Sequence, residues 1–127
     1  MPVIFQQMIY RSDLEKNPDV LYLFGDNDQR SGFGGQAKEM RGEDNAVGVR
    51  TKWAPSMAES AFFNDKDAEM IMAMIAEDLS ELHEHLAAGW IVVIPSDGLG
   101  TGLSELPERA PQVNAFLESA LKNLEDE

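Results

Sequence analysis

Two short apolar segments, each followed at once by a glycine-rich polar segment, constrain the fold of this chain more than any other feature. Val20–Phe24 and Trp90–Ile94 are continuous apolar runs that lack the alternation of a half-exposed strand, which is typical of strands covered on both faces. Such strands belong to parallel sheets, whose connections are usually helices. The sequence therefore predicts strands that alternate with helices.

The clearest helix is Asp65–Leu86, where apolar residues recur every three or four positions. Gly89 supplies its stop. A second amphipathic helix begins between Pro107 and Pro111, because proline is tolerated in a first turn, and it runs to about Leu124. The apolar stripe of the first helix consists of Ala68, Ile71, Ile75, Leu79, Leu82 and Leu86.

The remaining elements have weaker signals. Pro2–Tyr10 is predicted as a strand and Ser12–Lys16 as a helical turn with Ser12 as its cap. Gly34–Arg41 is predicted as a short helix. Asn45–Val49 is predicted as another strand, which ends in the sequence Arg-Thr-Lys-Trp.

Alternating strands and helices predict an α/β fold, with a single domain, three layers and a mixed, mostly parallel sheet flanked by helices. The 127 residues carry no internal repeat and no linker, so we expect one domain over residues 1–127 with a frayed acidic tail at 124–127. Ligands of such sheets bind beyond the carboxyl ends of the strands. Three polar segments follow predicted strands and are expected to converge there: Gly25–Gly35, Arg50–Ser56 and Pro95–Leu106.

Composition argues against several classes of function. With 23 acidic and 10 basic residues the net charge is −13, which repels duplex phosphates and opposes non-specific nucleic-acid binding. The absence of cysteine excludes a disulfide scaffold, a thiol nucleophile and a Cys-ligated zinc, and we expect no metal and no cofactor. The longest apolar run, Trp90–Pro95, is too short to span a bilayer and the N-terminus lacks a leader pattern, so we expect a cytoplasmic protein.

The glycines of the first and third polar segments suit a phosphorylated ligand. The first segment turns into a short helix, so its backbone can approach a ligand closely and the first helical N–H groups are expected to be free for an anion. The third alternates glycine with small residues, and its successive amides can wrap a diphosphate. The alternative is that both segments serve only as turns. The glycines concerned are Gly32, Gly34, Gly35, Gly98, Gly100 and Gly102.

Lys52 ends its predicted strand at the same edge. One interpretation is a solvated charge. The other is an amine that polarises, or condenses with, a sugar carbon, for which the lysine needs a lowered pKa from burial or from a cationic neighbour such as Arg50. Trp53, Phe62 or Phe63 can stack on a purine or can serve as ordinary packing.

These segments, in this order, resemble those of a macro domain, the ADP-ribose-binding α/β module. The branch of closest likeness includes ADP-ribosyl glycohydrolases and antitoxins that reverse DNA ADP-ribosylation. Residues 27–37 (Asn-Asp-Gln-Arg-Ser-Gly-Phe-Gly-Gly-Gln-Ala) are similar to the family's first loop, and Val49–Lys52 to the Thr-Lys that closes a central strand. Ile94–Leu103, followed by Leu106, resembles the family's strand, proline and Gly-x-Gly-Leu second loop.

The resemblance implies a macro-domain-like fold that binds ADP-ribose or a related nucleotide and hydrolyses an ADP-ribosyl linkage at the anomeric carbon. The substrate would then be ADP-ribosylated nucleic acid or protein. The resemblance puts Asn27 at the distal ribose and Lys52, as the catalytic residue, at the anomeric carbon. It puts Gly32, Gly34 and Gly35 at the neighbouring phosphate, and Gly98, Leu99, Gly100, Thr101 and Gly102 over the diphosphate. Gln36, Thr51 and Ser96 complete the set of candidate ligand-binding residues.

Two departures keep other functions open. Pro2–Arg11 has no Gly-Asp pair of the kind that reads adenine in macro domains. Ser104 stands where some members have an aspartate that partners the lysine, which favours a non-catalytic module that captures ADP-ribose-derived signals. A further alternative is a nucleotide-sugar hydrolase of the lysine-decarboxylase-like superfamily, whose glycine motif is similar to residues 98–101 with Glu105.

Overall fold

Four parallel strands form the sheet of the computed structural model, which describes residues 3–99 and 104–126. Their order across the sheet is β1 (Val3–Gln6), β4 (Val92–Pro95), β2 (Leu21–Asn27) and β3 (Ala46–Lys52). The predicted α/β class is confirmed, and within the described residues antiparallel pairing is limited to an isolated bridge between Lys52 and Phe62. Because neighbouring strands run in the same direction, their carboxyl ends share one edge.

Five α-helices lie in the described ranges, together with two short 3₁₀ turns at Glu59–Ala61 and Asp65–Asp67. None of the helices described has the length and apolar character that crossing a membrane requires. The helices are α1 (Arg11–Lys16), α2 (Ala37–Met40), α3 (Ala68–Ala87), α4 (Leu106–Arg109) and α5 (Pro111–Glu125).

Helices cover both faces of the sheet, which gives the three predicted layers. The continuous apolar run in β2 reflects this arrangement, because successive side chains of a strand point to opposite faces. Leu21 and Leu23 pack with α3 and α5 in the larger core cluster. Tyr22 and Phe24 pack in the smaller cluster, with residues of α1 and α2 such as Leu14.

The predicted stripe of α3 is confirmed in full, since all six of its apolar residues are buried. The helix itself begins three residues later than predicted, after the 3₁₀ turn that starts at Asp65. Gly89 follows the helix with a φ of +89°, a conformation that favours glycine and ends the helix as expected.

Several predicted boundaries are wrong. β2 extends through Asn27, because Gly25 and Asp26 pair with β3 instead of beginning the loop. The turn at α1 is not capped by Ser12; the carboxylate of Asp13 accepts the N–H of Tyr10 at 2.9 Å instead. β4 begins at Val92, after two exposed residues.

The C-terminal helical region is two helices rather than one. α4 ends before Ala110, whose backbone leaves the helical region (φ −144°, ψ 67°). α5 then starts with Pro111, which has no N–H to lose at a first helical position. It continues through Glu125 and fully buries Leu124, so the predicted fraying does not include that residue.

Candidate functional site

A cleft of about 280 Å³ opens at the carboxyl edge of the sheet, where the three polar segments meet. Its volume lies near the lower end of the range for small-molecule sites. Of the predicted site residues, those that line this cleft are Asn27, Gly32, Gly34, Gly35, Gln36, Thr51, Lys52, Gly98 and Leu99.

One predicted site residue, Ser96, lies away from the cleft, and three others cannot be placed. Ser96 is exposed and does not line the cleft; its amide donates to the carbonyl of Gln6 at 3.1 Å. Gly100, Thr101 and Gly102 lie outside the described residues.

Two glycines let the polar segments touch each other. A Cβ on Gly25 would lie 2.6 Å from the carbonyl oxygen of Leu99, and a Cβ on Gly32 would lie 2.9 Å from the Cβ of Pro55. Real Cβ atoms do not approach other atoms so closely, and Gly32 also has a φ of +92°. Glycine at these positions therefore brings the three segments together around one cleft.

A β-bulge at the end of β3 sets the position of Lys52. Asp26 pairs with Arg50 and Asn27 then pairs with Lys52, so Thr51 is an extra residue in β3. Strict alternation would put Lys52 on the face of Arg50, yet Thr51 and Lys52 are both buried and both line the cleft. Bulges re-aim side chains in this way beside functional sites.

Lys52 is a buried amine, with only 7% of its surface exposed. Its Nζ donates to the carbonyl of Ser56 at 2.7 Å and lies 4.4 Å from the ring centroid of Phe62. Burial lowers the pKa of Lys52 below the usual 10.5; Glu105 opposes this shift and the positive charge of Arg109 adds to it. The neutral form of the amine is therefore more accessible than in a solvated lysine.

The cation that influences Lys52 is Arg109 and not the predicted Arg50. The guanidinium of Arg50 is bound by Asp78 of α3, with Nε–Oδ2 and Nη2–Oδ1 distances of 3.0 Å, and these hydrogen bonds raise the pKa of Arg50. Arg109 lies 3.8 Å from the centroid of the Phe62 ring that Lys52 also contacts.

Arg109 also connects α4 to the segment after β3. It donates to Glu105 at 2.9 Å and to Glu59 at 3.0 Å, and both hydrogen bonds raise its pKa. Glu105 has a left-handed backbone with a φ of +49°, which is uncommon for a residue other than glycine and is found at functional sites. The lysine, the ring and the arginine thus form one connected group at the rim.

The aromatic side chains considered for purine stacking belong to the core. Phe62 and Phe63 are buried, and Trp53 meets Phe63 edge to face with ring centroids 4.8 Å apart. Of the two interpretations of these rings, their burial favours ordinary packing.

Three buried polar atoms have no hydrogen-bond partner among the described residues, and all three belong to residues that line the cleft. They are Asn27 Oδ1, Gln36 Oε1 and Ser104 Oγ. The Nδ2 of Asn27 donates to the carbonyl of Ser31 at 2.7 Å, so the Oδ1 of this amide is the atom that has no partner among the described residues. Buried polar atoms are nearly always paired, so their concentration here makes this cleft the candidate binding site.

The backbone amides available for an anion differ from those expected. The N–H groups of Ala37 and Lys38, at the start of α2, are bound by the carbonyls of Gly34 and Gly35 at 3.2 and 3.3 Å. The amides of residues 31–36, which precede α2, have no acceptor among the described residues. The loop, and not the helix, offers free donors.

The residues that line the cleft outside the predicted set include Asp26 and Arg41. They form an ion pair with a distance of 2.6 Å between Arg41 Nη2 and Asp26 Oδ1. Asp26 lies in a segment predicted as loop and Arg41 at the end of a short helix, so no local pattern connects them. Within the described ranges no group of three or more acidic or histidine side chains could hold a metal ion.

These features define a single-domain α/β protein with a ligand-sized cleft at the carboxyl edge of a parallel sheet. A family model matches residues 4–120, and the chain belongs to that family, DUF7831, a family of unknown function. No curated protein and no solved structure matches the chain.

Proposed function

We propose that the protein binds ADP-ribose or an ADP-ribose-like nucleotide in this cleft and hydrolyses an ADP-ribosyl linkage at the anomeric carbon. The observation that carries the proposal is the set of three buried polar atoms on Asn27, Gln36 and Ser104 that have no partner among the described residues and belong to residues lining one cleft. The resemblance of the same segments to macro-domain loops supports the choice of ligand.

The chemistry of the unpartnered groups suits the two parts of that ligand. The amide oxygens of Asn27 and Gln36 are acceptors and require a donor such as a sugar hydroxyl. The backbone amide of Gly32, which has no acceptor in the described ranges, is a donor and suits a phosphate oxygen. ADP-ribose presents hydroxyl groups and a diphosphate side by side.

Lys52 is the residue assigned to the reaction. Hydrolysis breaks the bond between the anomeric carbon and the leaving atom and forms a bond from that carbon to a water oxygen, while a water proton goes to the leaving group. If the neutral Nζ of Lys52 attacks, a C–N bond forms as the bond to the leaving atom breaks and the amine passes a proton to that atom; water then displaces Nζ from the carbon and returns a proton to it. If Nζ stays protonated, it polarises the linkage while water attacks the carbon directly, and the groups that hold the ligand contribute positioning.

The first test compares Lys52→Ala with Lys66→Ala, an exposed lysine on the 3₁₀ turn before α3. With ADP-ribosylated DNA or protein as substrate, Lys52→Ala is expected to lose release of ADP-ribose, whereas Lys66→Ala keeps it. Calorimetry should find ADP-ribose binding nearly unchanged in both variants. Turnover by Lys52→Ala at the wild-type rate would refute the assignment of Lys52.

The pH dependence of kcat/KM distinguishes attack by the neutral amine of Lys52 from polarisation by its cation. Because burial lowers the pKa of Lys52 below 10.5, kcat/KM rises with pH through that lowered pKa if the neutral amine attacks, and falls if the cation polarises. The free energy of unfolding rises with pH between the lowered pKa and 10.5, since the unfolded chain binds more protons in that window. A wild-type pH–rate profile with no inflection below 10.5 in the alkaline range contradicts both roles.

A second candidate is a module that captures ADP-ribose-derived nucleotides without turnover. The hydrogen bond from Lys52 to Ser56 and its contact with Phe62 favour this candidate, because both restrain the amine. A thermal-shift screen with ADP-ribose, AMP, NAD and cyclic ADP-ribose isomers reports binding through the rise in melting temperature. Binding of ADP-ribose with no product from any ADP-ribosylated substrate would support capture over catalysis.

A further inference from the structure

We propose that Arg109 is a positioning residue for Lys52: it shares the ring of Phe62 with the lysine, and its positive charge favours the neutral amine that attacks the ligand. This inference rests on the proposed function for the identity of the ligand, and it selects attack over polarisation as the role of Lys52. The effect of one cation on the other is measurable without any ligand.

Arg109 and Lys52 meet on the ring of Phe62. The guanidinium carbon of Arg109 lies 3.8 Å from the ring centroid, and the Nζ of Lys52 lies 4.4 Å from it. The two charges are therefore no further apart than the sum of these distances, which is less than the screening length of about 10 Å at 0.1 M salt. A like charge at this range disfavours the charged form of a lysine. The ring face attracts both cations, and Arg109 is the nearer of the two.

The fold fixes Arg109 beside the lysine from two parts of the chain. Lys52 ends β3 and pairs with Phe62 in an isolated bridge, whereas Arg109 ends α4. The Nε of Arg109 donates to Glu105 at 2.9 Å, and its Nη1 donates to Glu59 at 3.0 Å. Because Glu59 belongs to the segment between β3 and α3, the guanidinium is held at both ends of the contact.

Arg109 also neutralises a carboxylate that opposes it. Burial is the largest cause of the lowered pKa of Lys52, Glu105 opposes the shift and Arg109 adds to it. Since Glu105 is bound to Arg109, loss of the arginine removes a positive charge and also releases this carboxylate from its ion pair. Both changes favour the cation at Lys52.

The other charged groups near Lys52 are paired or act less directly. The other charged side chains that line the cleft are Asp26, Arg41 and Asp97. Asp26 and Arg41 form an ion pair. Asp28 donates its N–H to the carbonyl of Lys52 at 2.9 Å, and its carboxylate is bound by Arg50 at 3.1 Å. Among the described residues, the charges that shift the pKa of Lys52 are therefore those of Glu105 and Arg109.

The contacts of the Lys52 amine are compatible with its neutral form. Nζ donates to the carbonyl of Ser56 at 2.7 Å and lies 3.8 Å from the sulfur of Met57. An ammonium group has three hydrogens, and the neutral amine keeps two of them. It can therefore retain both contacts, and its lone pair is then available for an electrophilic carbon.

The experiment follows the ¹⁵N resonance of the Lys52 Nζ against pH by NMR, with the exposed Lys66 as an internal reference. We expect the titration midpoint of Lys52 to shift to higher pH in Arg109→Met and to lower pH in Glu105→Gln. Arg109→Lys keeps the charge and should stay near the wild-type midpoint. Arg11→Met is the matched control, because it loses an ion pair with Glu43 of 2.7 Å on α1 and should leave the midpoint unchanged.

Opposite shifts distinguish an effect of charge from a loosened site, which would move the midpoint of both variants towards that of Lys66. Shifts of Arg109→Met and Glu105→Gln in the same direction, or an unchanged midpoint in Arg109→Met, would overturn the role of Arg109. Glu105→Gln leaves Arg109 bound to Glu59, so a midpoint that does not fall in this variant overturns the role even if Arg109→Met does not fold.

Turnover separates this inference from the proposed function. With ADP-ribosylated DNA or protein as substrate, the inflection in kcat/KM should move with the NMR midpoint in each variant. An inflection that stays fixed while the midpoint moves would overturn attack by the neutral amine. Midpoints that shift as expected in a protein that releases no ADP-ribose would overturn the proposed function and leave the action of Arg109 on Lys52 intact.

Discussion

The α3 face and the cleft at the carboxyl edge differ in how well their buried groups are matched by their surroundings. On α3 every residue of the apolar stripe is buried against other apolar groups. Around the cleft, buried polar atoms of Asn27, Gln36 and Ser104 lack partners within the described part of the chain, and a buried lysine carries a lowered pKa. The helix face contributes stability, whereas each unpartnered polar group costs about 1–3 kcal/mol, a cost that the proposed ligand would offset.

The largest effect is expected from the α3 face. Leu82→Ala removes a fully buried side chain, and large-to-small core substitutions of this kind cost about 2–5 kcal/mol. The measurement is urea unfolding, together with ADP-ribose affinity under conditions where the variant is folded. The affinity should not change; a changed affinity would mean that the two regions are coupled.

A smaller effect is expected where the cleft meets the sheet. Gly25→Ala brings a Cβ to 2.6 Å from the carbonyl oxygen of Leu99, and overpacking costs about 1–3 kcal/mol. Both the free energy of unfolding and the affinity for ADP-ribose should fall, because the third segment must shift. Gly42→Ala is the control: its φ is +95° but its Cβ meets nothing, so it should lose stability by about 1–2 kcal/mol and keep its affinity.

The smallest effect on stability is expected at Ser104. Substitution there should weaken binding without lowering stability. Ser104→Ala removes an unpartnered buried hydroxyl, so the free energy of unfolding should stay the same or rise by about 1 kcal/mol, while ADP-ribose binds more weakly. Ser80→Ala, which removes a hydroxyl that donates to the carbonyl of Glu77, should lower stability slightly and leave binding unchanged. A destabilised Ser104→Ala with normal affinity would contradict the assignment of the cleft.

The difference between the regions also explains what the sequence could predict. The stripe of α3 and the two apolar runs are patterns within one element, so periodicity alone located them. The glycines around residues 32–35 and Lys52 were located because strand ends in a parallel sheet meet at one edge. The chemistry at that edge depends on contacts between distant segments, and a pattern within one element does not contain them.

Three residues show which features of the candidate site the sequence could not predict. Arg41 was missed because its partners, Asp26 and the carbonyls of the loop, are brought near it only by the fold. The burial of Lys52 depends on one extra residue in β3, which creates no compositional signal. Arg109, which lowers the pKa of Lys52 through space, follows it by more than fifty positions in the chain.

The strand order has a consequence for how the chain is made. β2 and β3 are neighbours in sequence and in the sheet, so they can pair early, whereas Val3 of β1 must wait for Val92 of β4. Contacts between such distant residues form slowly, and during synthesis from the N-terminus the partner of β1 emerges late. Until then β1 lacks its partner strand, and Ile4 and Phe5 stay about half exposed even in the finished sheet. The pairing of β1 therefore waits until β4 has been made.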